Sequence, residues 1–195
     1  MIRVGMGLLI ILATWSFVQA GLVQGKAWLG QRLMDGAWQQ AKAHGEPVQP
    51  WPGAVSHPVA RLSMARLDID HLVLDGADTP VLAWAPGMEV GPNGQRLIAA
   101  HRDTHFRFMR EVEPGDRFRL EHADGRIESW EVERLDIVDA RHTMIDMGEV
   151  GERLLLVTCF PFDAVSTGGP LRLVASLYPA NPVNPANAVN GEEMI

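Results

Sequence analysis

The alternation of apolar and polar residues is clearest near the C-terminal end of the chain. Residues 154–158 are apolar as far as Thr158 and read as a short strand covered on both faces. From Leu171 the pattern alternates: Leu171, Leu173, Ala175 and Leu177 share one face, and Arg172, Val174, Ser176 and Tyr178 the other. With the leucine row inward, Arg172 points away from the core. The intervening loop, 160–170, carries Phe160, Phe162, Asp163 and Gly168-Gly169-Pro170. An antiparallel pairing of the two runs brings Cys159, at the end of the first, towards Arg172, near the start of the second.

Upstream the segments are short. Residues 59–69 alternate as a strand, and His71 to Leu74 continue it across a corner at Asp68-Ile69-Asp70. Residues 79–84 read as a helical turn, with Thr79 as N-cap and Pro80 at the first helical position. Residues 96–100 form a strand that delivers His101. Residues 105–112 read as another helical turn, with Phe106, Met109 and Arg110 on one face. Residues 117–121 and 127–136 make a hairpin about Ala123-Asp124-Gly125, and 137–142 add a further strand. Residues 144–151 are a loop or short helix. Many short strands between turn signals indicate a mainly β domain, a closed barrel or a sandwich.

The N-terminal part follows other rules. Residues 4–25 carry no charge, with Arg3 before them and Lys26 after. As a helix they span about 33 Å, roughly a bilayer core. Two readings stand: an uncleaved anchor, or a signal peptide cut after Val18-Gln19-Ala20. The anchor is preferred, with the N-terminus cytoplasmic on the strength of Arg3. Residues 26–42 read as a helix with Leu29, Leu33 and Ala37 in one row and Met34, Trp38 and Ala41 beside it, weakened by Gly30 and Gly36. Pro47, Pro50, Pro52 and Pro58 then mark a semi-rigid linker that holds the domain off the anchor. Residues 179–195, rich in Pro, Asn and Ala, read as a disordered tail. The expected division is 1–25 anchor, 26–58 helix and linker, 59–178 catalytic domain and 179–195 tail.

Composition narrows the function. A chain of 195 residues suits one domain plus appendages. A net charge of -7 argues against a nucleic-acid or anionic-lipid surface. The single cysteine excludes an internal disulfide framework.

A lone cysteine is commonly buried and inert. A thiol beside a cation is instead a candidate nucleophile, because positive charge favours the thiolate. His101, at the end of another apolar run, completes a Cys, His and Arg set on three strand ends. His101 also reads as a hydrogen-bonded structural histidine, or as a metal ligand with His105 four residues on. The zinc-protease pattern needs Glu after the first His, and Arg102 stands there.

Leu155-Leu156-Val157-Thr158-Cys159 resembles the TLxTC signature of sortases, which are membrane-bound cysteine transpeptidases. His101-Arg102 resembles their GHR segment, and Arg172 matches their essential Arg on the strand after the Cys. The string from His101 to Phe108 is similar to the subgroup found in Gram-negative bacteria. So is Cys159 to Asp163 followed by Gly168 to Arg172. Leu155 stands in place of the first Thr of TLxTC, and Ala100 in place of the Gly before the His. The resemblance covers residues 58–178. It implies a closed eight-stranded barrel with short helices behind an N-terminal membrane helix.

By the same resemblance, Cys159 attacks a backbone carbonyl of an LPxTG-like C-terminal sorting signal and forms a thioester. His101 serves as acid and then base, Arg172 holds the peptide and the oxyanion, and Thr158 contacts substrate or shapes the oxyanion site. An amine acceptor then takes the acyl group. The other partner is the membrane, with the catalytic domain on the extracytoplasmic side of the inner membrane. No nucleic acid, metal or other cofactor is expected. The rival readings are another extracytoplasmic cysteine hydrolase or a membrane-anchored binding domain without catalysis. An L,D-transpeptidase is disfavoured because its Arg lies close after the Cys.

Overall fold

The structure is a computed structural model that describes residues 2–142, 145, 147, 152–164 and 168–180; the side chains of helix residues 2–13, 17, 20 and 23 lie outside it. A helix, α1 (Ile2–His44), leads into strands β1 (Pro58–Met64) and β2 (Ile69–Asp75). A short helix, α2 (Thr79–Leu82), precedes β3 (Gly87–Val90) and β4 (Arg96–Ala99). A 3-10 helix at Arg107–Glu111 connects to β5 (Arg117–His122) and β6 (Ile127–Asp139). Strands β7 (Leu154–Cys159) and β8 (Leu171–Pro179) finish the fold.

The strands close into a barrel in the order β1-β2-β3-β4-β7-β8-β6-β5, which settles barrel against sandwich. Strands β2 and β3 run parallel, as do β4 and β7; the other neighbours are antiparallel. Alternation sends one side chain in two to the interior. Ala60, Leu62 and Met64 of β1 meet Leu154 and Leu156 of β7 and Leu173, Ala175 and Leu177 of β8 there. The leucine row of β8 is therefore the inner row, apart from half-buried Leu171 at its mouth. Strand β7 is covered outside as well. Leu155 and Val157 join Val174, with Leu97, Val138, Ile145 and Met147 packed against them. That double burial is why β7 reads as an unbroken apolar run.

Three local expectations change. The chain does not continue across Asp68-Ile69-Asp70: it reverses there, and β1 pairs antiparallel with β2. Asp68 takes a left-handed conformation at φ 51°, which Asp tolerates better than most residues. The N-cap of α2 is Asp78, one residue before Thr79. The strand expected at 137–142 is the end of β6, which runs on to Asp139.

The larger difference lies in the N-terminal helix. Met34, Ala37, Trp38 and Ala41 are its buried row, and Leu29 and Leu33 are exposed. Met34 and Trp38 pack with Leu72, Leu74, Val81 and Ala85, flanked by Trp51 and Trp84. A Cβ at Gly30 would come within 2.5 Å of the Trp84 ring. The glycine that weakens the helix by about 1 kcal/mol is the one that lets it approach. Gln31 Nε2 donates to Trp84 O at 3.0 Å, and Lys42 pairs with Glu121 of β5. Residues 30–54 therefore dock on the barrel and do not hold it at a distance. The helical backbone extends through the expected anchor. The side chains of its apolar centre lie outside the described residues, and among the described residues no helix is long and apolar enough to cross a membrane. The expected tail from 181 onward also lies outside them.

Candidate active site

Cys159 is the last residue of β7, and its register partner on β8 is Arg172. The Phe160 N–H donates to Leu171 O at 3.0 Å, so the next pair inward, Cys159 and Arg172, is a narrow pair without its own ladder bonds. Such pairs hold their Cα atoms about 4.5 Å apart with side chains close. Both residues are half-buried, on the outer face that Val157 and Val174 occupy further along.

The parallel neighbour β4 supplies the histidine. Ala99 lies beside Val157, and the Ala100 N–H donates to Val157 O at 3.2 Å. β4 ends at Ala99, so His101 lies just beyond it, at the end of the barrel where β7 finishes on Cys159. Leu97 and Val157 share the outer cluster, on the face of β7 that Cys159 continues. His101 is exposed, and its carbonyl accepts from the N–H of Phe106 at 3.0 Å and of Thr104 at 3.4 Å. The turn that follows β4 starts on that residue. Three strand ends thus bring the Cys, His and Arg of the sequence reading to one edge of the barrel.

Arg172 is held by backbone alone. Its Nη1 donates to Gly169 O at 2.6 Å and to Leu171 O at 2.9 Å. Among the described residues it makes no ion pair. A guanidinium carries five N–H donors, and among the described residues only Nη1 of Arg172 has a protein acceptor.

Thr158 is expected to contact substrate or to shape the oxyanion site. The residue is 2 % exposed, and its Oγ1 donates to Ala100 O at 2.8 Å. It faces inward by strand alternation, and its hydroxyl ties the β7 end to the β4 end. Asp163 is exposed in the loop after Cys159, while Ser166 and Thr167 lie outside the described residues.

Sequence reasoning missed Arg102. It is 6 % exposed, and its Nη1 and Nη2 donate to Pro161 O at 2.5 Å and Ala164 O at 2.9 Å. The available signal was an Arg directly after the candidate His, inside the matched segment. His105 points towards His71, ring centroids 5.5 Å apart and edge to face. Burial pushes both imidazoles below their ordinary pKa, and the neighbouring charges of His71 and His101 lower His105 further. Among the described residues no group of three or more His, Cys, Asp or Glu is arranged to hold a metal ion.

The sortase domain model matches residues 62–180, more than half of the chain. The chain belongs to the sortase family. Sortase D of Bacillus subtilis strain 168 is 40% identical over 74 residues, a stretch that makes up 37% of this chain and 37% of that protein. The match therefore spans little more than a third of that relative. Among solved structures, Sortase A from Corynebacterium diphtheriae is similar with a TM-score of 0.57 at 18% identity, over 80% of this chain and 87% of that one. A Clostridium perfringens Sortase D5 transpeptidase is similar with a TM-score of 0.59 at 14% identity, over 78% and 99%. At these identities the structural likeness is one of fold, and the fold agrees with the eight-stranded barrel.

Proposed function

We propose that this sortase is a cysteine transpeptidase that cuts a C-terminal LPxTG-like sorting signal and transfers the new acyl end to an amine. The observation that supports the reading is the register of β4, β7 and β8, which pairs Cys159 with Arg172 and ends β4 two residues before His101 at the same end of the barrel.

The Cys159 thiolate attacks the scissile carbonyl carbon. The oxyanion that forms is met by N–H groups of the Arg172 guanidinium, whose Nη1 is already held by Gly169 O and Leu171 O. The C–N bond breaks, and His101 gives a proton to the departing amine. The acyl group is then a thioester on Cys159. An acceptor amine attacks it, His101 takes the amine's proton, the C–S bond breaks and the thiolate returns. Exposure of His101 suits both exchanges, because leaving and entering amines meet it from solvent.

The proposal extends to the membrane. The uncharged stretch 4–25 between Arg3 and Lys26 supports an uncleaved anchor, with the barrel outside the cytoplasm. Full-length protein then stays in the membrane fraction after an alkaline wash, and a soluble mature form starting near Gly21 rejects the anchor. The Gram-negative subgroup is part of the same proposal and rests on the strings His101 to Phe108 and Cys159 to Arg172.

The test is mass spectrometry of full-length protein with a peptide library and an amine. Cleavage confined to LPxTG-like sequences, with the amine joined to the new C-terminus, supports the reading. Hydrolysis alone, or cleavage without sequence preference, overturns it.

A further inference from the structure

Cys159 and His101 are each flanked by a tie to the other's strand. Thr158, just before Cys159, donates its hydroxyl to Ala100 O, just before His101. Arg102, just after His101, donates to Pro161 O and Ala164 O in the loop just after Cys159. The pair therefore sits inside a closed frame of β4, β7 and their two outgoing loops. A 3-10 helix residue adds to it, with the Arg110 guanidinium 5.3 Å from the Phe162 ring centroid.

A guanidinium this deeply buried needs a reason. Desolvating it is costly unless its N–H groups find partners, and here they find carbonyls of the loop after Cys159. Its Nε lies 3.3 Å from Asp103 Oδ1, an exposed carboxylate in the His101 turn. One side chain thus spans the turn that begins at His101 and the first residues beyond Cys159.

We propose that Arg102 is a positioning residue of the transpeptidase: together with Thr158 it fixes the separation and orientation of His101 relative to Cys159. It touches no reacting atom. It acts by holding the loop carbonyls in a plane that only a fork of N–H groups matches, so lysine does not replace it. This inference rests on Cys159 and His101 being the reacting pair.

The experiment compares full-length wild type, Arg102→Lys, Thr158→Val and the double variant. Three readouts are taken: kcat and KM for transpeptidation, thermal unfolding, and the rate of Cys159 alkylation by iodoacetamide with and without His101→Ala. Misplacing reacting groups by about an ångström costs roughly a hundredfold in rate, so Arg102→Lys is expected to lower kcat by about that factor with KM little changed. The Arg102 and Thr158 effects on kcat are expected to be non-additive, because both ties serve one separation. The His101-dependent part of the alkylation rate is expected to fall in Arg102→Lys.

Alkylation needs no sorting signal. If wild type transfers no peptide, the transpeptidase reading fails, and alkylation still decides the role of Arg102. A folded Arg102→Lys with wild-type kcat and wild-type alkylation overturns the proposal. So does a loss that merely tracks the unfolded fraction. If Arg102→Lys does not fold, the Thr158→Val variant carries the test: an unchanged kcat and unchanged His101-dependent alkylation in that variant also overturn it.

Discussion

The two ends of the barrel treat charge in opposite ways. At the end where β4 and β7 begin, Arg96, His122, Arg126 and Trp130 converge on one carboxylate. Glu128 takes Arg96 Nη1 at 2.5 Å and Trp130 Nε1 at 3.1 Å, pairs with Arg126, and lies 3.1 Å from His122 Nε2. Arg96 also lies over the Trp130 ring, 5.7 Å from its centroid. Burial alone would raise the Glu128 pKa; Arg96, His122 and Arg126 outweigh it and hold the carboxyl below its ordinary range. At the other end, where β4 and β7 finish, Arg172 lies opposite Cys159, and among the described residues its partners are two backbone carbonyls, of Gly169 in the loop and of Leu171 in β8. The first cluster draws its partners from the protein's own side chains, with buried His122 Nε2 near Glu128 but in no hydrogen bond among the described residues. In the second, among the described residues only Nη1 of Arg172 has a protein acceptor.

The comparison is broken most directly at Arg172. Arg172→Lys is expected to lose about a hundred- to a thousandfold in transpeptidation, because a mobile point charge does not reproduce the planar fork at an oxyanion. Rates across pH for wild type, Arg172→Lys and Arg172→Ala check this, with circular dichroism to confirm folding. Near wild-type rates in the lysine variant would leave Arg172 an electrostatic role only.

At the Glu128 end the expected effect is on stability. Glu128→Gln is expected to destabilise the fold by about 2 kcal/mol, the scale of hydrogen bonds to a charged group, while the rate per folded molecule is unchanged. The depressed folded pKa sets the pH dependence. The contribution is present above the unfolded carboxylate value and is lost as pH falls through the lower folded value. Urea unfolding of both forms at neutral and at acid pH measures it: the difference between them is expected to shrink in acid. A variant as stable as wild type at neutral pH would show that this cluster is ornamental.

The smallest effect lies near the end where β4 finishes, at His71 and His105. Burial is the main cause of their lowered pKa. Each contributes stability that is present above the unfolded histidine value, about 6.5, and is lost as pH falls through the lower folded value. Melting temperature is expected to decline on acidification below that value, and less steeply in a His71→Gln, His105→Gln double variant. Parallel profiles for the two proteins would reject the assignment.

The catalytic end was more legible in the sequence than the rest. Alternation from Leu171 set the outward direction of Arg172, and the uninterrupted run 154–157 marked a strand covered on both faces. Those are local signals with a period. Other features depended on partners distant in the chain. Nothing in Lys26 to Lys42 told which of two adjacent rows was buried, and the answer, Met34 and Trp38, depends on Leu72, Leu74 and Val81. The hairpin at Asp68 was hidden because the residues on either side are equally strand-like. The hydrogen bonds of Thr158 and Arg102 were hidden for a related reason. They go to Ala100, Pro161 and Ala164, and a backbone carbonyl leaves no mark in the residue types.

The central claim is that Cys159, with Arg172 opposite and His101 at the same end of the barrel, is an acylating nucleophile. Intact-mass measurement of the full-length protein with an LPxTG-like peptide and no added amine tests it most directly. The expected result is an adduct on Cys159 equal to the part of the peptide before the cut, which disappears when the amine is added and never forms in Cys159→Ala. An adduct on another residue, or turnover by Cys159→Ala at a sizeable fraction of the wild-type rate, would contradict it.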